Sequence, residues 1–133
     1  MRIISAALLA AAMSLPLAAS ASAAANIIGS WKGRGSVKLT NGQVEPVSCS
    51  VRYEPGGDVN NKTYVLYATC ATTAGTFVQS GRVIQRGGSS YSGRLFSQQY
   101  SVSGDLSISV SGGSQTIRVS SPKGSGSLSL KKQ

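Results

Sequence analysis

The 133-residue chain has no histidine, only four acidic residues, two cysteines and one tryptophan. Each scarcity excludes something. Without imidazole, the commonest general base near neutral pH and the commonest metal ligand are both missing. Two cysteines with no histidine beside them do not make a zinc site. The acids are Glu45, Glu54, Asp58 and Asp105. Only Glu54 and Asp58 are close enough in sequence to consider as a carboxylate pair, and both border a turn, where solvated carboxylates are ordinary. Ser120-Ser121-Pro122-Lys123 fits a Ser-x-x-Lys spacing. That chemistry usually sets the two residues on one turn of helix, whereas a Pro-Lys-Gly turn between strands is the reading here. The glycine clusters follow strand patterns and open no helix, so none reads as a phosphate loop. The expectation is a protein with no catalytic residues, no metal and no cofactor.

Long apolar runs are confined to the first 25 residues. Arg2 gives a basic start, Ile3 to Leu17 an apolar stretch broken by Ser14 and Pro16, and Ala21-Ser22-Ala23 or Ala23-Ala24-Ala25 a small-residue cleavage site. This is the pattern of a secretory signal peptide, too short to span a bilayer. Residues 1–25 are therefore expected to be removed, leaving residues 26–133 as a single exported domain, periplasmic or extracellular and not transmembrane. With 13 Lys and Arg, the full chain carries a formal net charge of +9. A balance so basic points to anionic partners.

Serine and glycine are abundant, but the apolar residues are not scattered among them. Val, Ile, Leu, Tyr and Phe alternate with Ser, Thr, Arg and Lys, the period of strands with one buried and one wet face. Trp31, Gly33, Gly35, Val37 and Leu39 share one face of a first strand; Lys32, Arg34, Ser36 and Lys38 share the other. Asn41-Gly42 then signals a two-residue hairpin. The next apolar set, Val47, Cys49, Val51 and Tyr53, has the wrong parity for it. A β-bulge at Glu45-Pro46 is expected to repair the register, placing Trp31 opposite Tyr53 and Lys32 opposite Arg52.

Tyr64, Leu66, Ala68 and Cys70 alternate as well. Pairing Cys49 with Cys70 sets Val51 against Ala68 and Tyr53 against Leu66, so one register satisfies both a disulfide and the hydrophobic face; free buried thiols are the alternative. Further strands follow near Thr76–Arg86, around Tyr91, Gly93 and Leu95, and along Tyr100, Val102, Gly104, Leu106, Ile108 and Val110. Gly112-Gly113 makes a hairpin that sets Ile108 against Ile117. A turn over Ser121–Gly126 would set Ile117 against Leu130. The expected fold is all-β, a small closed or partly closed eight-stranded antiparallel up-and-down barrel with one disulfide; a β-sandwich or an open meander is the alternative.

The segments Gly29 to Val37, Val47 to Tyr53, Tyr67 to Thr72 and Tyr100 to Gly104 resemble a group of small exported alphaproteobacterial β-rich proteins. That resemblance implies export and a β-rich fold and assigns no activity. More distantly, Gly29-Ser30-Trp31 opening an eight-stranded meander resembles the Gly-x-Trp start of the calycins. Calycin membership implies either a carrier of a small apolar ligand or a periplasmic hydrolase inhibitor.

From the residues themselves, the leading expectation is a non-enzymatic binding module. Its outer basic face, Lys32, Arg34, Arg52, Lys131 and the aromatic Tyr67, is the candidate site for an anionic polysaccharide, lipopolysaccharide or a membrane surface, with a protein partner as the alternative. On the inner face, Trp31 and Tyr53 are candidates for sealing a barrel end or touching a ligand. Gly33, Gly35 and Gly93 either leave a cavity or make room for those rings.

Overall fold

A computed structural model describes residues 26–133 except 59, 61 and 100. The expected signal segment and Tyr100 lie outside the described residues. Eight strands follow one another: β1 (Gly29–Leu39), β2 (Val44–Pro55), β3 (Thr63–Thr72), β4 (Gly75–Gln85), β5 (Ser90–Ser97), β6 (Val102–Ser111), β7 (Ser114–Ser121) and β8 (Gly124–Lys132). Each pairs antiparallel with its sequence neighbour, and β8 returns to β1, so the sheet is a closed barrel. Closure removes the edge strands that a serine-rich sheet would otherwise expose. No helix among the described residues is long and apolar enough to cross a membrane.

The disulfide joins Cys49 to Cys70 across β2 and β3. Val51 faces Ala68 and Tyr53 faces Leu66 in the same ladder. Ile108 faces Ile117 across β6 and β7, as the Gly112-Gly113 hairpin requires.

Two registers differ from the sequence expectation, each by one step of the pleat. Trp31 faces Val51, not Tyr53, and Gly33 faces Cys49. The extra residue that restores parity sits in the turn. Leu39 N–H donates to the Gln43 carbonyl and Gly42 N–H to the Leu39 carbonyl, leaving Thr40, Asn41 and Gly42 as a three-residue loop. Gly42 takes a φ of 85° there, the left-handed position that closes such loops. No bulge is needed at Glu45-Pro46, and Lys32 lies opposite Ser50. At the other misread turn, Ile117 pairs with Leu128 and Gln115 with Leu130. The turn is the tight Pro122-Lys123 step between Ser121 and Gly124, shorter than the Ser121–Gly126 loop expected.

Glycines mark two seams. A Cβ on Gly33 or Gly35 would collide with the carbonyl oxygens of Ser129 or Ser127 on β8, and one on Gly81 or Gly93 with those of Arg94 or Arg82 across β4 and β5. In a ring of eight strands the β8/β1 and β4/β5 seams are diametrically opposite. At both, these glycines serve close backbone approach between neighbouring strands.

Candidate functional site

The inner face changes character along the barrel axis. At one end, beneath the β2–β3, β4–β5 and β6–β7 loops, lie Trp31, Tyr53, Tyr64, Tyr91, Val110 and Leu130. Trp31 is 0% exposed and Tyr53 1%. Ile27, also fully buried, comes in from the segment before β1, and its carbonyl accepts a 2.9 Å hydrogen bond from Trp31 Nε1. Tyr64 and Tyr91 meet edge to face with centroids 5.6 Å apart. Lys132 Nζ lies 5.6 Å from the centre of the Trp31 ring and donates to the Asn26 carbonyl at 3.1 Å. This end is sealed.

Tyr53 is tuned by its position there. Its hydroxyl donates to Gln115 Oε1 at 2.6 Å, while Gln115 Nε2 is buried with no partner among the described residues. Burial first, and the neighbouring Tyr91 second, push the Tyr53 phenol far above its ordinary range. Burial also raises Tyr91, with Tyr64 adding to the rise and a backbone hydrogen bond from Ile27 opposing it.

At the opposite end the aromatics give out. Val37, Val47, Phe77, Leu95, Val102, Val119 and Leu128, with Gly104, Gly124 and Gly126, surround a cavity of about 430 Å³. That is within the usual range for small-molecule sites. The Cys49–Cys70 disulfide forms part of its wall, and the mouth lies among the β1–β2, β3–β4, β5–β6 and β7–β8 turns. The polar side chains in the lining are Glu45, Thr72, Gln79, Lys123 and the serines Ser36, Ser97, Ser121 and Ser125. Ser97 is 7% exposed, and its hydroxyl has no hydrogen-bond partner among the described residues. A buried hydroxyl left unpaired costs about 1–3 kcal/mol, so an occupant able to bond with it would recover part of that.

The sequence-derived residues are dispersed accordingly. Trp31 and Tyr53 belong to the sealed end and do not line the cavity. On the outside, Arg52 lies opposite Tyr67, its guanidinium 5.1 Å from the ring centre, and its Nε is 3.1 Å from Glu54. Lys32 lies opposite Lys131 across β1 and β8, and Arg34 is one pleat further along. The expected basic group therefore divides: Lys32, Arg34 and Lys131 stay together, while Arg52 and Tyr67 form a partly neutralised pair of their own. The Glu54–Asp58 pairing does not form. Glu54 holds Arg52, and Asp58 accepts the backbone N–H groups of Thr63 at 3.1 Å and Lys62 at 3.2 Å. Desolvation acts upward on Asp58, but those donors win and leave its carboxyl below the ordinary value. The described residues contain no cluster of three metal-ligating side chains.

No family model matches the chain, and no curated protein does. Solved structures do share its architecture. A de novo designed fluorescence-activating β-barrel aligns with TM-score 0.64 at 16% identity, covering 84% of this chain and 98% of that one. The redesigned barrel mFAP1, bound to DFHBI, aligns with TM-score 0.67 at 12% identity, over 84% and 99%. Rv2717c from M. tuberculosis aligns with TM-score 0.53 at 12% identity, over 80% and 92%. At such identities the likeness is one of fold: an eight-stranded β-barrel.

Proposed function

We propose that this chain is a non-enzymatic, exported binding module that carries a small, mainly apolar molecule in the open end of its barrel. The observation that supports this most directly is the cavity of about 430 Å³, walled by valines, leucines and a disulfide, with the unpaired Ser97 hydroxyl set into it. Apolar lining supplies affinity by burial, and one or two polar groups fix orientation. mFAP1 with DFHBI is an analogy for a small molecule held by a barrel of this shape, and function by fold analogy alone is weak support. The cavity carries the reading without it. The calycin resemblance implies a carrier or a hydrolase inhibitor alike, and the cavity favours the carrier. The test is titration with the uncharged fluorophore Nile red. Val119→Phe, which adds a ring to the cavity wall, should weaken binding about tenfold or more, while Trp31→Phe at the sealed end leaves it unchanged. Binding that ignores Val119→Phe would overturn the reading.

A second reading has its own support. The outer faces of β1, β7 and β8 carry Lys32, Arg34, Lys38, Arg118 and Lys131, all exposed and none in an ion pair among the described residues. A surface that retains anionic envelope components, whether polysaccharide, lipopolysaccharide or a membrane surface, fits that arrangement. Salt-sensitive retention on an anionic matrix, lost when Lys32 and Lys131 are changed to Ser, tests it.

A further inference from the structure

We propose that the face formed by Lys32, Arg34, Lys38, Arg118 and Lys131 binds a linear polysaccharide bearing carboxylate groups, of the polyuronate class. This rests on the second reading above and names its partner.

The charges of the barrel are divided unevenly. The acidic side chains all lie off this face, and three of the four are engaged elsewhere. Glu54 holds Arg52 at 3.1 Å, Asp105 holds Arg94 at 3.0 Å, Asp58 is bound to loop backbone, and Glu45 lines the cavity. Asp105 sits on β6, next to β7, but its charge is answered by Arg94. On β1, β8 and β7 no carboxylate stands opposite the cations in the ladders, and most of the residues that do are serines. Arg34 faces Ser129, Lys38 faces Ser125, and Arg118 faces Ser127, while Lys131 Nζ donates to Ser114 Oγ at 2.6 Å. Lys32 and Lys131 stand directly opposite each other. Like charges in that position are mildly destabilising. A bound anion relieves the repulsion.

The shape of the face selects the kind of anion. From Lys32 to Lys38 the strand runs about 20 Å, and from β1 to β7 the face is about 10 Å wide. The cations therefore form a narrow track along the strand direction, with a shallow groove between Lys38 and Arg118 floored by Ser36, Ser125 and Ser127. A chain laid along β1 meets successive charges, whereas a flat bilayer gains most of its hold on a protein from inserted apolar side chains. The outward positions of β1, β7 and β8 offer none. Of the large exposed hydrophobics, Tyr67, Val78, Ile84 and Phe96 lie on β3, β4 and β5, away from the track, while Ile28, just before β1, and Val44, opposite Lys38 on β2, stand singly beside its two ends and form no apolar patch for a bilayer. Single-stranded nucleic acid calls for aromatic platforms on which bases stack, and this track has none. Rows of Ser and Thr hydroxyls between the cations suit a partner that alternates carboxylates with hydroxyls.

The experiment measures binding of the chain to polygalacturonate, to a neutral glucan, to phosphatidylglycerol vesicles and to single-stranded DNA, at low and moderate salt. Polygalacturonate should bind with a steep salt dependence and the neutral glucan should not bind. The double variant Lys32→Ser/Lys131→Ser should weaken polygalacturonate binding about tenfold and flatten its salt slope. Arg52→Ser/Arg94→Ser removes the same charge from the ion-paired cations and should change binding less than about twofold. Equal losses from both double variants would overturn the proposal, because net charge alone would then explain the binding. Tighter binding to vesicles would overturn the polyuronate assignment and leave the second reading standing, whereas tighter binding to DNA would overturn both. No binding to any of the polyanions would overturn both.

Discussion

The two ends of the barrel share eight strands, one alternation and one disulfide-braced ladder, yet one end is solid and the other hollow. The difference is side-chain volume at equivalent inward positions. β1 contributes Trp31 to the sealed end and Val37 to the open one; β2 contributes Tyr53 and then Val47; β5 contributes Tyr91 and then Ser97. An eight-stranded barrel has an interior that side chains can just fill. Replacing rings by valine, serine and glycine at one end is enough to open it. Alternation decides which residues point inward, and their size decides whether they meet.

Four perturbations sharpen this contrast. Trp31→Ala should have the largest effect, destabilising by about 3–5 kcal/mol in urea unfolding, because a fully buried ring that also donates to the Ile27 carbonyl is lost. An unfolding midpoint close to the parent's would show the sealed end to be dispensable. Tyr53→Phe keeps the ring and removes the donor to Gln115 Oε1, which deepens the isolation of that amide. The expected loss is about 1–2 kcal/mol by the same measurement. Val119→Phe at the open end should change the stability little in urea unfolding, by less than about 1 kcal/mol in either direction, since the added ring enters empty space. A loss as large as that of Trp31→Ala would mean that the open end is packed after all.

The smallest effect concerns the β2–β3 loop beneath the sealed end. Asp58 is held below its ordinary value, so its ionised form favours the folded loop. Its contribution is present above the ordinary carboxylate range and is lost as the pH falls through the depressed value. Amide hydrogen exchange at Lys62 and Thr63 should therefore speed up relative to the rest of the barrel on acidification, and Asp58→Asn should abolish that relative change.

How much of this was legible depended on how many independent constraints met at a position. Cys49 and Cys70 were constrained twice, by a possible bridge and by the flanking hydrophobic faces, and only one register satisfied both. Trp31 was constrained once, by parity. Parity does not distinguish a bulge at Glu45-Pro46 from an extra residue in the Thr40-Asn41-Gly42 turn, and the two choices displace the ladder by one pleat. The same displacement moved Arg52 away from Lys32. The pairing of Arg52 with Glu54 was open to reading, because residues two apart on a strand share a face. The cavity was not, since alternation identifies inward residues without fixing where each lies along the axis. Once the registers are known, the bunching of Trp31, Tyr53, Tyr64 and Tyr91 toward one set of loops carries the signal.

The hydrogen bonds from Lys132 to Asn26 and from Gln133 N–H to the Ser30 carbonyl bring the beginning and end of the described chain together at the sealed pole. Anything fused or tethered through either point attaches behind the molecule, with the cavity mouth facing away from it. The barrel thus has a fixed back and front. A support holding it by residue 26 or 133 leaves the approach to the cavity unobstructed.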